Sequence, residues 1–259
     1  MTDHFKRAVR GAAIFVSLAT AVPAFADETT QNWQGFYGGI ALGGAYSAAS
    51  PDTEALTSSY FDAEDKNQLA PVLHETIEGF DVTGSALFGY DYQDQNVIYG
   101  IEGDLTFMPF SETESHGPET FTSNATVNFT SQTTVETDVT FSIRPKIGYA
   151  MDDWQVYVSA GPSISRFKTT HKYNDTSKAQ NHVFTDTRTA FGVSSSVGAG
   201  YRIGNGWSLR GDYVLTDFPQ IVNGDANAET SGVIDPNADF SYDSDFLSHN
   251  VRFALIKRF

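Results

Sequence analysis

Residues 198–218 read GAGYRIGNGWSLRGDYVLTDF, and the alternation inside them decides the fold. Large apolar residues recur two apart: Tyr201 and Ile203, then Trp207, Leu209, Tyr213 and Leu215. Between them fall Gly200, Arg202, Ser208, Arg210, Asp212 and Thr216. Period two describes a β-strand, because successive side chains point to opposite faces. Gly204-Asn205-Gly206 supplies the tight turn of a hairpin. The hairpin has one apolar face and one polar face, and the fold depends on which of them looks at water.

The same alternation runs through eight segments: 36–47, 80–92, 97–108, 139–150, 154–165, 190–203, 207–218 and 245–259. The connections alternate as well. Residues 93–96, 151–153 and 204–206 are short, whereas 48–79, 111–136, 169–187 and 219–244 are long and polar. Short and long in turn put every tight turn at one end and every long connection at the other. An even-stranded up-and-down meander has this form.

The polar face settles the surroundings. In the sixth segment Phe191, Val193, Ser195, Val197, Ala199, Tyr201 and Ile203 oppose Gly192, Ser194, Ser196, Gly198, Gly200 and Arg202. A solvated outer face carries long Lys and Glu side chains, whereas Gly and Ser suit the crowded concave inside of a narrow barrel. The apolar face is then convex and faces lipid. Aromatics mark its limits. Phe36, Tyr90 with Tyr92, Tyr99, Tyr149, Trp154, Tyr201, Trp207 and Phe259 lie at the short-turn end. Tyr46, Phe80, Phe107, Phe141, Phe191 and Tyr213 lie about ten residues away; at about 3.3 Å per residue and a tilt of roughly 40–45° this is about 25 Å, the height of an outer-membrane apolar band. The expected class is all-β: an eight-stranded antiparallel up-and-down transmembrane β-barrel with four long extracellular loops and three short periplasmic turns.

Composition agrees. The chain has 259 residues, no cysteine and a formal net charge of −16, which excludes the basic patch a nucleic-acid partner requires. At the N-terminus Lys6, Arg7 and Arg10 precede the apolar stretch GAAIFVSLATAV, followed by Ala24-Phe25-Ala26. This order predicts a signal peptide over residues 1–26, cleaved between Ala26 and Asp27, with the barrel domain over 27–259. Without residues 1–26 the chain holds 13 Lys and Arg against 31 Asp and Glu. Most of that excess sits in 48–79, 111–136 and 219–244.

Four segments carry a family likeness: WQGFYGGIALGG (33–44), ALFGYDYQ (86–93), YGIEGDL (99–105) and GNGWSLRGDYVLTDF (204–218), with a terminal Phe259. They resemble the small outer-membrane β-barrel, or porin-family, proteins of α-proteobacteria, a group that includes major surface antigens. The resemblance implies an outer-membrane barrel whose long connections are extracellular. It implies lipid and lipopolysaccharide as surroundings, and a C-terminal strand read by the barrel-assembly machinery. Val251, Phe253 and Leu255 fit the alternation that such a strand carries back from its final Phe; Lys257 departs from it, within reach of the headgroups. Pro145 and Pro162 fall inside strands and each removes a ladder donor, which predicts a bulge or a locally broken pair.

The candidate chemistry is a set of inward charges: Glu102, Asp104, Arg144, Lys146, Arg210, Asp212 and Arg252. Eight strands enclose a space that side chains fill, so these charges are expected to pair across strands as a polar plug rather than line a wide pore. The alternative is a narrow channel whose selectivity they set. A lipid-modifying enzyme, the second alternative, needs Ser, His and an acid together at the outer rim. Ser248 and His249 are adjacent there and must face opposite ways. DPNAD (235–239) imitates the start of a calcium loop, but Phe240 and Phe246 stand where Gly and Glu are required. No catalytic residue, cofactor or metal ligand is assigned. The expected role is structural, in envelope integrity and surface contact, with a monomer favoured and at most weak passage of small solutes.

Overall fold

The computed structural model describes residues 32–55, 61–176, 180–230 and 233–259; residues 1–26 and the cleavage position Ala26/Asp27 lie outside them. Eight strands follow in chain order: β1 (Gly35–Ala55), β2 (Ile77–Asp94), β3 (Val97–Thr120), β4 (Asn128–Met151), β5 (Trp154–Asp175), β6 (Gln180–Gly204), β7 (Trp207–Thr230) and β8 (Val233–Arg258). Among the described residues one helix, α1 (Ala63–Leu73), lies between β1 and β2. Each strand pairs antiparallel with the next, and β1 pairs with β8, from Tyr37↔Arg258 to Ala55↔Phe240, to close the ring. In the lipid-facing part closure leaves no edge strand, which is the condition for strands in hydrocarbon, where an unpaired N–H or C=O finds no water; beyond Val193↔Asp217 the outer parts of β6 and β7 are not paired with each other among the described residues. The protein is an eight-stranded up-and-down β-barrel.

Alternation now has a physical meaning. Phe253 in β8 is 75% exposed, whereas Arg252 beside it is 1% exposed. Phe36, Ile40, Leu42, Phe80, Val82, Phe191, Val197 and Leu209 also point outward. Such a band of large apolar side chains is stable only against lipid. The short turns place Gln95, Asp152 and Asn205 at positive φ, where short connections between twisted strands require it.

The strands run on past the apolar band. They are 18 to 26 residues long, whereas a tilted strand crosses a bilayer in about 9–11. The long polar connections therefore lie at one end, as the spacing indicates, but they are built largely as ladder rather than as irregular loops. Residues 233–258, DPNAD included, belong to β8, so those acids sit on a strand and not in a metal-binding loop. Bulges fall where the lipid-facing portion ends, at Phe107/Phe110, Thr137/Thr140 and Phe218/Val222. A bulge bends and twists its strand locally, here where the surroundings change. The β4–β5 ladder is also interrupted between Ser142↔Ser163 and Lys146↔Ser159, the interval that contains both Pro145 and Pro162. One gap thus absorbs both missing donors.

The interior is filled in layers. At the short-turn end Trp33 packs with Ile98 and Ala150, and the Arg202 guanidinium lies 4.4 Å from its ring centroid. Tyr37, Ala41, Leu87, Ala254 and Ile256 follow, beside the inward charges. Next comes a slab containing Met108, Phe110, Phe167, Phe218 and Phe246, whose rings meet edge-on or tilted at 5.0–5.2 Å. Above it Phe61, Phe121, Phe129, Tyr173, Phe240 and Tyr242 enclose Leu69 and Leu73 of α1. Asp62 caps this helix in a reciprocal box with Asp65. Gln68 and Asp65 bind residues 120–123, at the end of β3 and the start of the β3–β4 connection, so the helix is held across the mouth.

Candidate functional site

The inward charges meet at one level of the barrel. β3 supplies Glu102 and Asp104, β4 supplies Arg144 and Lys146, β7 supplies Arg210 and Asp212, and β8 supplies Arg252. In each pair the two residues are two apart, so both face inward. Arg144 reaches Glu102 at 2.9 Å and Asp104 at 2.6 Å. Arg210 grips both oxygens of Glu102 from across the barrel, at 2.5 and 3.1 Å, and holds Asp212 at 2.9 Å. Arg252 joins Asp104 at 2.5 Å to Asp212 at 3.4 Å. Glu102 and Arg144 are each 1% exposed.

Three further partners complete the layer. Asp91 of β2 is fully buried; it forms an ion pair with Lys146 at 2.7 Å and accepts from Arg258 at 2.9 Å. Tyr37 donates its hydroxyl to Glu102 at 2.8 Å and lies under the Lys146 ammonium. Tyr157 donates to Asp212 and lies beneath Arg210. Asp91 was legible from period alone, because it stands between the outward Tyr90 and Tyr92. With it, four buried carboxylates face four buried cations, Arg144, Lys146, Arg210 and Arg252, so the fully buried set is neutral; the part-exposed Arg258 adds a cation at its edge, beside Asp91.

The small residues of the polar face make room for these rings. A Cβ on Gly89 would come within 2.5 Å of the Tyr37 hydroxyl, and one on Gly198 within 2.3 Å of both Tyr157 Oη and Asp212 Oδ1. Between the charged layer and the Phe slab lies a cavity of about 20 Å³, lined by Asp104, Ser142, Arg144, Phe218, Phe246 and Arg252 among others. It has room for a single water molecule.

On the outside, Phe36, Tyr92, Tyr99, Tyr149, Trp154, Tyr201, Trp207 and Phe259 all project at the short-turn end. Tyr90 is half-buried there, its ring 4.8 Å from that of Phe36. Lys257 donates to the Asn205 carbonyl at 2.5 Å and covers the Trp207 ring, which accounts for a charge on this face. At the other rim Ser248 points inward to Ser47 at 2.9 Å, while His249 points outward to the Tyr213 hydroxyl at 2.6 Å. The two do not act on a common atom. In the outer part of the barrel, burial pushes the Tyr242 phenol upward and raises the Asp245 carboxyl despite its bond from Ser50.

A closed barrel with an apolar exterior and a neutral, filled interior defines a class, the integral outer-membrane β-barrels. The chain belongs to the outer membrane protein beta-barrel domain family, whose pattern matches residues 12–238. Two curated relatives, the 31 kDa outer-membrane immunogenic proteins of Brucella melitensis and Brucella suis, are each 30% identical over 216 residues. The alignment covers 83% of this chain and 82% of either relative. Solved structures with a related form include the outer membrane protease OmpT of Escherichia coli, at 8% identity and a TM-score of 0.47. Another is OprG of Pseudomonas aeruginosa, at 11% identity and a TM-score of 0.46. Each alignment covers 87% of this chain and 97% of the other. Both relatives are named as outer-membrane immunogenic proteins. The protein is an outer-membrane β-barrel protein of the cell envelope.

Proposed function

We propose that this protein is a closed structural barrel of the outer membrane, contributing to envelope integrity and presenting a rigid surface outside the cell. The observation that carries the reading is the filled lumen: a neutral ion-pair layer, a slab of Phe rings, and a third layer sealed by α1. A permanent aqueous path needs a wider ring; porins of about 16–18 strands leave one open. The immunogenic relatives support a surface-facing outer end. Outer-membrane lipid and lipopolysaccharide are its surroundings, the C-terminal strand with Val251, Phe253, Leu255 and Phe259 serves the assembly machinery, and the barrel works as a monomer. Export with cleavage after Ala26 belongs to the same proposal.

Planar bilayers test it. Verified monomer should give no steady conductance, with at most rare small openings. A deletion strain should show a leakier envelope. Steady conductance on the scale of a general porin, from monomer, would refute the closed reading.

A further inference from the structure

Outside the charged layer, one group of side chains has the composition of a metal site. Glu75 lies on the link from α1 to β2, and Glu114 and His116 lie on the outer part of β3. Glu114 and His116 are two apart, so they share the inward face of their strand. The ligating atoms of all three lie within 4.8 Å of one another. His116 Nε2 contacts the Glu75 carboxylate directly. The three border a cavity of about 10 Å³ whose other walls are Pro51, Val72, Leu73, Ser131 and Thr133. This is the volume of one small sphere.

Charge makes the arrangement telling. His116 is the only basic group within ion-pairing distance of Glu75 or Glu114 among the described residues. Two carboxylates and one imidazole converge, with apolar Leu73, Val72 and Pro51 behind them. Like charges at this spacing repel; the Glu75 side chain is 46% exposed and that of His116 27%, so water screens part of that repulsion and leaves the cluster open to an ion from solution. A cation in the cavity would balance it. This chemistry contrasts with the charged layer below, where every carboxylate meets an Arg or a Lys.

We propose that Glu75, Glu114 and His116 form a binding site for one divalent transition-metal ion, with Zn²⁺ the best match. One imidazole and two carboxylates with a fourth position open is a zinc-type set, whereas Ca²⁺ and Mg²⁺ take oxygen ligands alone and in larger number. Ligand atoms about 2.1 Å from a tetrahedral ion stand about 3.4 Å apart. Glu75 is on a connecting segment and Glu114 has no ion-pair partner but His116 within reach among the described residues, so small side-chain rotations close the difference. The bound ion would tie the α1–β2 link to β3 and fasten the helix over the barrel mouth. The site is independent of whether the lumen conducts.

The test uses untagged barrel refolded in detergent, stripped with chelator and titrated with ZnCl₂ by calorimetry. Heat-modifiable gel mobility verifies folding of each variant. Wild type should take up one Zn²⁺ per chain. The Glu114→Gln/His116→Ala double variant should lose at least tenfold in affinity, and Glu75→Gln, which leaves both strands untouched, should also bind more weakly. His249→Ala, on the opposite face of the wall, should leave that uptake unchanged. Absence of stoichiometric uptake would overturn the proposal. So would equal affinity in the Glu114→Gln/His116→Ala variant, or displacement of Zn²⁺ by Ca²⁺ at comparable concentration.

Discussion

Replacing Glu102 by Gln removes one charge from the interior with almost no change of shape. Glu102 accepts two bonds from Arg210, one from Arg144 and one from Tyr37, and it is 1% exposed. The substitution leaves the layer with one uncompensated positive charge and turns an amide N–H₂ toward arginine donors. Removing one partner of a buried ion pair costs about 3–5 kcal/mol. Arg144 retains Asp104, and Arg210 retains Asp212, so the lower end of that range applies, about 3 kcal/mol. The geometry also ranks the couplings. Arg210 holds both oxygens of Glu102 and Arg144 holds one. A double-mutant cycle of Glu102→Gln with Arg210→Gln should therefore give a larger interaction energy, about 2 kcal/mol, than the cycle with Arg144→Gln, about 1 kcal/mol. Equilibrium unfolding in urea from lipid vesicles, followed by tryptophan fluorescence and gel mobility, measures both. Additivity within about 0.5 kcal/mol in the Arg210 cycle would mean that these side chains do not meet across the barrel.

Two further outcomes follow from the faces and the packing, and a third from the N-terminal sequence. Val197→Arg, midway between Tyr201 and Phe191 on the exposed face of β6, should cost about 2–4 kcal/mol in lipid, whereas Thr113→Arg, outward on the polar part of β3, should change stability by less than about 0.5 kcal/mol. Gly198→Ala should cost about 1–3 kcal/mol through the contacts of its methyl with Tyr157 and Asp212, while Gly84→Ala, with nothing within 4 Å, should be neutral to about 0.5 kcal/mol; the same unfolding assay separates them. Mass spectrometry of the outer-membrane species should find its N-terminus at Asp27.

Where lipid lies on one side and packed side chains on the other, two unlike solvents write a period-two pattern into the chain. Residues 198–218 carry it so plainly that the barrel is legible from them. The same contrast placed Glu102, Asp104, Arg144, Lys146, Arg210, Asp212 and Arg252 inside, and all seven are buried. Beyond the apolar band the outer face meets water, and the signal fades. In residues 128–137, NFTSQTTVET, the inward set is Phe129, Ser131, Thr133, Val135 and Thr137, which is largely polar on either face. Only the wealth of β-branched residues remained to indicate strand. Tyr37 and Tyr157 are hidden in the sequence for another reason: as aromatics near strand ends they look like lipid-facing belt residues, and only the parity of their neighbours says otherwise. Glu75, Glu114 and His116 come from segments about forty residues apart, and no spacing rule brings them together.

The seam between β1 and β8 has a kinetic consequence. Ser47 binds Ser248, 201 residues later in the chain. A ladder of that sequence separation is among the last to form, because loop closure must be complete before any of its bonds are gained. Until then the sheet is an open ribbon with two bare edges, and neither edge is tolerable in hydrocarbon. Insertion and closure must therefore proceed together. A chain that lacks β8 would hold most of the wall and still have no stable place in the bilayer.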